Sequence, residues 1–299
     1  MKHLIESQQF NQESLKKLFK LADLLEKKKD SSMKNKIMAS LFYEPSTRTR
    51  FSFESAMLRL GGNVITTENA KEFSSAAKGE TLEDSIRVIN KYADVIVLRH
   101  YEEGASKRAS LVSDIPVINA GDGPGQHPTQ ALLDLYTIQR ELKKINGIVI
   151  ALVGDLKHGR TVRSLAYLLG KYKDIKIYLV SPEKLKIGDD IKEYLDKHKV
   201  DHEETEDLSS VIEIVDVVYQ TRIQKERFES INEYEKFKGY YKIDLQTVNQ
   251  MKAKSIIMHP LPRVDEISTE VDKSPKAVYF KQAGYGLLIR MALLKTMVK

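Results

Sequence analysis

The 299-residue sequence contains no cysteine. Without thiols, the chain cannot form disulfide bonds, bind a metal through thiolates or use a cysteine nucleophile. Long hydrophobic runs are also missing, because apolar segments such as residues 95–98 and 148–153 fall far short of the ~18 residues that span a bilayer. The N-terminal segment becomes polar after Ile5, unlike a secretory signal. We therefore expect a soluble, cytoplasmic protein with no membrane partner.

The sequence has no strong excess of one charge. It has 48 Lys and Arg residues against 42 Asp and Glu residues, a formal net charge of +6, with the two signs interleaved. A mild, dispersed excess favours a small anionic ligand over nucleic acid, which needs a concentrated basic patch. A zinc-type histidine cluster, the nucleophile elbow GxSxG and the dinucleotide fingerprint GxGxxG are absent as well. We expect neither a metal nor a cofactor.

Short apolar runs alternate with helical patterns along the chain, which is typical of α/β proteins with largely parallel sheets. The length and the 41% hydrophobic content suit about two domains of ~150 residues. The patterns predict strands at residues 37–43, 63–67, 94–99, 115–119, 148–154, 175–181, 215–220 and 255–259. They predict helices at residues 11–29, 51–60, 82–93, 105–112, 129–142, 161–172, 191–197 and 287–298.

The alternation of strand and helix restarts after the long helix 129–142. We therefore expect an α/β fold class with two doubly wound domains, largely parallel sheets and interdomain helices that join them. The expected domains are residues 1–128, which would bind one ligand, and residues 129–284, which would bind another. A C-terminal helix, residues 285–299, is expected to pack back on the first domain.

A candidate phosphate site follows the first predicted strand, where the sequence EPSTRTR (residues 44–50) leads into a helix. Free backbone N–H groups at a helix N-terminus attract anions, and ligands collect at the carboxyl ends of parallel strands. Ser46, Thr47 and Thr49 can donate hydrogen bonds there, and Arg48 can bind two oxygens. Ordinary helix capping beside an exposed arginine would explain the same residues.

A second anion signal, GDLKHGRT (residues 154–161), also lies between a predicted strand and a helix. It differs by one residue from the phosphate-binding pattern GxxxxGK[ST], because Arg160 stands where the lysine should be. Nucleotide triphosphatases need that lysine near the transferred phosphate. An anion site is therefore expected here, and a triphosphatase is not.

Other basic or polar groups follow predicted strands. Arg99 and His100 end one strand, TRIQKER (221–227) follows another, and HPTQ (127–130) opens the long helix after a glycine-rich loop, residues 121–125. His127 could cap that helix or donate a hydrogen bond to a developing oxyanion. Each stretch alone could be a surface loop, but together they indicate a ligand with more than one negative group.

The sequence HPLP (259–262) follows the last predicted strand. Its two prolines leave few N–H groups in the loop and restrict the directions of its carbonyl groups. Such a loop can present backbone acceptors to an amide, or it can be a rigid surface turn.

Taken together, these motifs resemble the aspartate/ornithine transcarbamoylase family over essentially the whole chain. The motifs are Ser46–Arg50 (STRTR), Lys78–Thr81 (KGET), Arg99 with His100, His127–Gln130 (HPTQ), Gly154–Val162 (GDLKHGRTV) and His259–Glu266 (HPLPRVDE). STRTR marks the whole family, whereas GDLKHGRTV, TRIQKER and HPLPRVDE are similar to the aspartate branch. The ornithine branch usually has a cysteine where Pro260 stands. The resemblance implies transfer of the carbamoyl group of carbamoyl phosphate to the amine of L-aspartate, an early step of de novo pyrimidine biosynthesis.

The resemblance also implies a set of site residues. Those for carbamoyl phosphate are Ser46, Thr47, Arg48, Thr49, Ser74, Lys78, Arg99, His127, Gln130 and the backbone carbonyls of Pro260 and Leu261. Those for aspartate are Lys78, Arg160, Thr161, Arg222 and Gln224. Among them, the expected catalytic residues are Arg48, Thr49, Lys78, Arg99 and His127. The Leu261–Pro262 peptide bond is expected to be cis.

Assembly is also implied by the resemblance. In the family, the loop that matches Ser74 and Lys78 reaches the active site of the neighbouring subunit, so we expect a homotrimer with shared sites. Separate regulatory chains are a further possible partner. Glu44 and Arg227 match residues that form domain-closing salt bridges. Two other functions stay open: a transcarbamoylase that uses ornithine or another amine, and a non-enzymatic protein that binds a phosphometabolite.

Overall fold

The structure is a computed structural model of the chain, and it describes residues 1–73, 78–223, 230, 234–237 and 239–298. The chain divides into two compact units. Unit 1 consists of residues 1–133 and the C-terminal stretch from Gly284, and unit 2 consists of residues 134–283. In the described part, no helix is both long enough and apolar enough to cross a membrane.

Unit 1 is a four-stranded parallel sheet with helices. Its strands are β1 (Ile37–Phe42), β2 (Asn63–Glu68), β3 (Val95–His100) and β4 (Val117–Asp122). Its helices are α1 (Gln12–Lys27), α2 (Thr47–Arg59), α3 (Ala70–Phe73), α4 (Leu82–Ile89) and α5 (Ala105–Val112). Helix α6 (Pro128–Leu142) begins in unit 1 and continues into unit 2.

Unit 2 repeats this architecture with five strands. They are β5 (Val149–Val153), β6 (Lys176–Val180), β7 (Asp201–Thr205), β8 (Val217–Gln220) and β9 (Ile256–Met258). Its helices are α7 (Arg160–Leu169), α8 (Asp189–Lys197) and α9 (Leu245–Gln250). Helix α10 (Tyr279–Met297) begins in unit 2 and ends in unit 1.

Every named strand pair is parallel. The strand order is β2-β1-β3-β4 in unit 1 and β7-β6-β5-β8-β9 in unit 2. In both sheets the first strand along the chain has neighbours on both sides, so the strand order reverses there, as in doubly wound folds. The predicted α/β fold class is confirmed.

The sequence of each strand matches its place in the sheet. β1 and β3 lie in the middle and are almost entirely buried, whereas β2 at one edge contains no buried residue. β4 at the other edge is buried because the N-terminal segment covers it: the Leu4 N–H donates to Val117 and the Leu4 carbonyl accepts from Asn119. Covering an edge satisfies backbone groups that would otherwise invite another strand.

Several predicted helix boundaries are wrong; α4, for example, ends at Ile89 and not at residue 93. Helix α2 begins at Thr47, not at residue 51, because STRTR forms its first turn. Helix α10 begins at Tyr279, not at residue 287, since the glycines at 284 and 286 lie inside it. A Cβ atom at Gly286 would lie 3.0 Å from the Leu133 side chain. The chain divides into its two units after Leu133, inside α6, and the predicted first domain ends at residue 128, the first residue of that helix.

Gly154 joins β5 to the loop that follows it, in a conformation that other residues rarely adopt. Its φ is +113°, and a Cβ atom there would lie 2.5 Å from the Thr221 carbonyl oxygen. The Thr221 N–H and hydroxyl both donate to the Val153 carbonyl at 2.8 Å, so the ends of β5 and β8 are held together. Gly154 is therefore needed for the two chain segments to approach.

We predict that Gly154→Ala lowers the free energy of unfolding by about 1–3 kcal/mol, the usual range for a strained backbone site. The matched control is Gly147→Ala, since Gly147 also has a positive φ (+69°) but nothing lies within 4 Å of its Cβ position. Urea unfolding followed by circular dichroism measures both variants. An equal loss in the two would show that the contact with Thr221 contributes nothing.

Candidate active site

In unit 1, the predicted site residues lie where the strand order reverses. β1 and β3 are neighbours in the sheet, and the chain leaves them toward opposite edges. Glu44 to Thr49 follow the carboxyl end of β1, and Arg99 lies at the carboxyl end of β3. Parallel strands end at one edge of the sheet, so these side chains share the crevice in which α/β proteins bind ligands.

The N-terminus of α2 has the features of an anion-binding cradle. The Arg50 N–H donates to the Ser46 carbonyl at 3.0 Å, so the N–H groups of Thr47, Arg48 and Thr49 precede the first helical hydrogen bond. Within residues 1–73, the Ser46 side chain caps none of these N–H groups. They and the positive end of the helix dipole are available to a phosphate, and the neighbouring hydroxyl groups can donate too.

Two arginines of α2 have different roles. Arg50 is bound by its own unit: it lies 2.8 Å from the Glu68 carboxylate and 3.8 Å from that of Glu54. Arg48 is exposed and forms no ion pair with a described residue. Neighbouring protein atoms lower the pKa of Arg48 by partial desolvation, but a guanidinium stays charged at any working pH. Arg48 is the arginine that can bind an incoming anion.

Arg99 is buried and held in place from two sides. Its Nη1 donates to the Ala120 carbonyl at 3.2 Å, and its Nη2 lies 3.1 Å from the Glu44 carboxylate. This ion pair compensates the charge of a guanidinium that is only 8% exposed. Glu44 thus contacts Arg99 within unit 1. The domain-closing salt bridges expected of Glu44 and Arg227 stay a prediction, and Arg227 lies outside the described residues.

His127 and Gln130 lie at the start of α6 and are both buried. The His127 carbonyl accepts from the Gln130 N–H at 3.0 Å and the Ala131 N–H at 3.2 Å, so His127 begins the helix and Pro128 occupies its first position. His127 Nδ1 lies 3.4 Å from the Thr129 hydroxyl. The helix therefore fixes the backbone at His127.

His100, which also ends β3, has a structural role. Its Nδ1 accepts from the Glu102 N–H at 3.0 Å, and its ring contacts Tyr43 and Tyr101. Burial lowers the pKa of His100, which keeps the ring neutral near pH 7. Arg99 rather than His100 is the candidate for chemistry at this strand end.

In unit 2, the second group of site residues lies where the order of its own sheet reverses. β5 and β8 are neighbours, and the loop that carries Arg160 follows β5 while Arg222 follows β8. Arg160 is the first residue of α7, directly after Gly159, and Thr161 is the second. A basic side chain at a helix N-terminus and an arginine at the adjacent strand end suit carboxylate groups.

The loop before α7 is fixed by Asp155, which is fully buried. Its carboxylate accepts from the His158 N–H at 3.0 Å. A Cβ atom at Gly159 would lie 2.5 Å from the Asp155 carbonyl oxygen, so this tight loop requires glycine there. The positions of Arg160 and Thr161 follow from this loop.

The HPLP loop follows β9 with its carbonyl groups in a restricted turn. Pro260 and Leu261 are half-buried, and Leu261 has a φ of +55°. The Leu261–Pro262 peptide bond is cis, which confirms the prediction. Backbone acceptors in such a turn can bind an amide donor.

Several predicted residues are only partly characterised. Ser74, Gln224 and Arg227 lie outside the described residues, so their roles stay predictions. Lys78 is exposed in the turn before α4, and no described residue holds its ammonium group by an ion pair. An exposed lysine at this position is compatible with a contact to another chain.

Sequence reasoning missed the buried groups that support the site in unit 2. The Tyr219 hydroxyl donates to the Asp134 carboxylate at 2.7 Å, and Thr161 bonds to Tyr219. Gln282 donates to the other Asp134 oxygen at 2.6 Å. The available signal was a lone acid in the apolar stretch ALLDLY of α6, since a buried carboxylate requires partners.

Two family models match this chain. The carbamoyl-P binding domain of aspartate/ornithine carbamoyltransferase matches residues 2–140, and the Asp/Orn binding domain of the same family matches residues 146–297. The chain belongs to the aspartate/ornithine carbamoyltransferase family. The first match includes the site residues at the carboxyl ends of β1 and β3, and the second includes those at the carboxyl ends of β5 and β8.

Individual members of the carbamoyltransferase family are similar over nearly the whole chain. The pea protein named aspartate carbamoyltransferase 3, chloroplastic, is 60% identical over 301 residues, which are 99% of this chain and 77% of that protein. The aspartate transcarbamoylase catalytic subunit of Methanocaldococcus jannaschii is 53% identical with a TM-score of 0.92, over 100% of this chain and 98% of that one. A Trypanosoma cruzi aspartate transcarbamoylase solved with carbamoyl phosphate and aspartate is 42% identical with a TM-score of 0.94, over 100% and 97% of the two chains.

The anion cradle predicts a specific effect of Arg48 on phosphate binding. Arg48→Ala should weaken the affinity for inorganic phosphate roughly tenfold or more, because a hydrogen-bonded charged pair contributes ~1.5–3 kcal/mol. Arg59→Ala is the matched control, since Arg59 lies in the last turn of the same helix. Isothermal titration calorimetry with phosphate measures both. Equal affinities for the two variants would contradict the cradle.

Proposed function

We propose that this chain is an aspartate carbamoyltransferase that forms N-carbamoyl-L-aspartate and phosphate from carbamoyl phosphate and L-aspartate. The observation that carries the proposal is the match of both halves of the chain to the family, with 53–60% identity to relatives named for aspartate. The name aspartate carbamoyltransferase, which these relatives carry, implies that the product belongs to pyrimidine biosynthesis. The cytoplasmic location stays a prediction, since the pea relative is named chloroplastic.

The cradle of unit 1 is assigned to the phosphate of carbamoyl phosphate. Ser46, Thr47 and Thr49 donate hydrogen bonds, and Arg48 and the N-terminus of α2 neutralise the negative charge. That charge increases as the bond to the carbamoyl carbon breaks, so these groups bind the departing phosphate more strongly than the substrate. Interactions that strengthen in this way accelerate the reaction.

The carbonyl group of the substrate is assigned to Thr49, Arg99 and His127. The uncharged amine of aspartate attacks the carbonyl carbon, a C–N bond forms, and negative charge collects on the carbonyl oxygen. The C–O bond to phosphate then breaks, phosphate leaves with the electron pair, and the nitrogen gives up one proton to the departing phosphate. Arg99 is suited to this role because Glu44 and Ala120 already hold its guanidinium, so little reorganisation is needed.

Gln130 and the carbonyl oxygens of Pro260 and Leu261 are assigned to the NH2 group of the substrate. This group carries only donors toward the protein, so the backbone acceptors of a proline-rich turn are chemically matched to it. The two carboxylates of aspartate are assigned to Arg160, Thr161, Arg222 and, as a prediction outside the described residues, Gln224. Arginine suits this task because its planar fork matches a carboxylate.

The assembly we propose is a homotrimer with shared active sites. It is supported by the exposed position of Lys78 and by the family resemblance of the loop that contains Ser74 and Lys78. In this arrangement Lys78 places a cation beside the substrates bound by a neighbouring chain. Separate regulatory chains remain a possible further partner.

The function is tested by incubating the purified chain with carbamoyl phosphate and an amine. We expect phosphate release with L-aspartate and formation of carbamoyl aspartate, but no release with ornithine. Phosphate release with ornithine alone would identify another transcarbamoylase. Ligand binding without turnover would indicate a non-enzymatic binding protein.

Arg222→Ala should raise the KM for aspartate about tenfold or more while the KM for carbamoyl phosphate stays within about twofold, because a charged hydrogen-bonding pair contributes ~1.5–3 kcal/mol. Arg163→Ala serves as control, since Arg163 pairs with Asp190 at 23% side-chain exposure on α7. Steady-state kinetics with each substrate varied in turn measures both. A selective rise in the KM for carbamoyl phosphate would mean that the two half-sites are assigned the wrong way round.

Shared sites predict that two inactive variants complement each other. Lys78→Ala and Arg48→Ala should each be nearly inactive, because one lacks the lysine donated to the neighbour and the other lacks the phosphate-binding arginine. After the two are dissociated, mixed and reassembled, some sites combine a normal Arg48 with a normal Lys78, so activity should return. A mixture with hybrids confirmed by native mass spectrometry that stays inactive would refute the shared site.

A further inference from the structure

His259, at the end of β9, uses its two ring nitrogens for different partners. Nδ1 accepts from the backbone N–H of Leu261 at 2.8 Å, and Nε2 lies 2.8 Å from Oε1 of Glu266. A backbone N–H can only donate, so Nδ1 carries no proton. The neutral ring therefore carries its proton on Nε2 and donates it to Glu266.

Glu266 acts as an acceptor on both of its oxygens. Oε2 accepts from the N–H groups of Val264 at 3.1 Å and Asp265 at 3.2 Å, while Oε1 faces His259. Burial by itself would raise the pKa of Glu266, but the hydrogen bond from His259 and those from the backbone lower it below its ordinary value. Glu266 is thus an ionised carboxylate that accepts every one of these hydrogen bonds and donates none.

The main chain at His259 is fixed from another direction. Its N–H donates to Gln282 at 2.9 Å, and Gln282 donates in turn to Asp134. The backbone conformation two residues later is unfavourable by itself. Leu261 has a φ of +55°, in a region that leucine rarely adopts. The bond from the Leu261 N–H to the ring of His259 therefore helps to hold an unfavourable conformation.

We propose that Glu266 is a positioning residue that acts through His259. It selects the ring tautomer whose Nδ1 accepts from Leu261, and so orients the carbonyl groups of Pro260 and Leu261 toward the NH2 group of carbamoyl phosphate. This inference rests on the proposed function. It makes the Glu266–His259 pair responsible for discrimination between a carbamoyl group and groups of similar size that cannot donate.

The test variant is Glu266→Gln, which keeps the size of the side chain and reverses one hydrogen bond. The glutamine oxygen must face the N–H groups of Val264 and Asp265, which are donors. Its NH2 group then faces Nε2 of His259, so the ring must carry its proton on Nδ1, where it opposes the N–H of Leu261. The turn loses its anchor although little volume has changed.

The decisive measurement compares the affinities of three ligands. Carbamoyl phosphate has the NH2 group, acetyl phosphate has a methyl group in its place, and inorganic phosphate has neither. Glu266→Gln should weaken binding of carbamoyl phosphate roughly tenfold, the order expected for lost hydrogen bonds. Binding of acetyl phosphate and phosphate should stay within about twofold. A parallel loss for all three ligands would overturn the proposal.

A second substitution should restore the preference. Asparagine at position 259 can accept from the N–H two residues later through its side-chain oxygen, whatever residue 266 offers. The double variant His259→Asn/Glu266→Gln should therefore bind carbamoyl phosphate more tightly than Glu266→Gln alone. A purely structural role predicts the opposite, because a second substitution in the core would add to the damage. A double variant as weak as or weaker than the single one would refute action through His259.

Two variants of His259 give the same test if Glu266→Gln does not fold. His259→Asn retains an acceptor for Leu261 and His259→Leu has none, so only the first should prefer carbamoyl phosphate over acetyl phosphate. Equal preference in the two would overturn the proposal. Asp244→Ala is the stability control, since Asp244 caps α9 through the Thr247 N–H at 2.9 Å; it should lower Tm without changing the preference.

Failure of the inference and failure of the proposed function give different results. If the wild-type chain forms no carbamoyl aspartate, the function is wrong. If the wild-type chain is active and Glu266→Gln keeps the wild-type preference for carbamoyl phosphate over acetyl phosphate, the function stands and the role of Glu266 is wrong.

Discussion

Both units depend on the same constraint, the reversal of strand order in a parallel sheet. Where the order reverses, the chain leaves two neighbouring strands toward opposite edges of the sheet. The loops beyond the carboxyl ends of these strands therefore diverge and leave a crevice between them. The helices that follow β1 and β5 begin there, so each places its N-terminal N–H groups and the positive end of its dipole at the carboxyl edge of its sheet. In unit 1 that edge carries Thr47 to Thr49 beside Arg99, and in unit 2 it carries Arg160 beside Arg222. The topology therefore brings these arginines of each unit to the strand ends where parallel sheets bind ligands.

The sequence was sufficient for the parts of the fold that follow from local patterns. Buried central strands such as β1 and β3 are continuous apolar runs, and the hydroxyl and arginine residues after β1 mark a strand end without reference to the rest of the chain. The near match of residues 154–161 to a phosphate loop also marked a strand-to-helix junction correctly, although Arg160 excluded the usual function of such loops. These predictions needed only periodicity and the chemistry of neighbouring residues.

What the sequence could not supply depends on contacts between distant residues. Strand β7 has the sequence DHEET, which lacks an apolar pattern because an edge strand needs only one partner, here β6. The pairing of Glu44 with Arg99 joins the ends of two strands that are far apart in the chain. Asp134 reads as an isolated acid in an apolar helix until Tyr219 and Gln282 are brought to it by folding. In each case tertiary structure, not local propensity, determines the partner.

The proposed function requires this protein to recognise a phosphate with hydrogen-bond donors and an NH2 group with hydrogen-bond acceptors. A phosphate is bound by hydrogen-bond donors, and a helix N-terminus such as that of α2 supplies backbone donors to which Arg48 adds its charge. An NH2 group must be bound by acceptors. Backbone carbonyl groups in a loop have no fixed direction unless other contacts restrain the loop. The bond from Leu261 to His259 and the acceptors of Glu266 provide that restraint within the buried part of unit 2. Binding a phosphate therefore depends on donors and an arginine at one helix N-terminus, whereas choosing a carbamoyl group depends on a buried carboxylate that fixes the proton on one imidazole nitrogen.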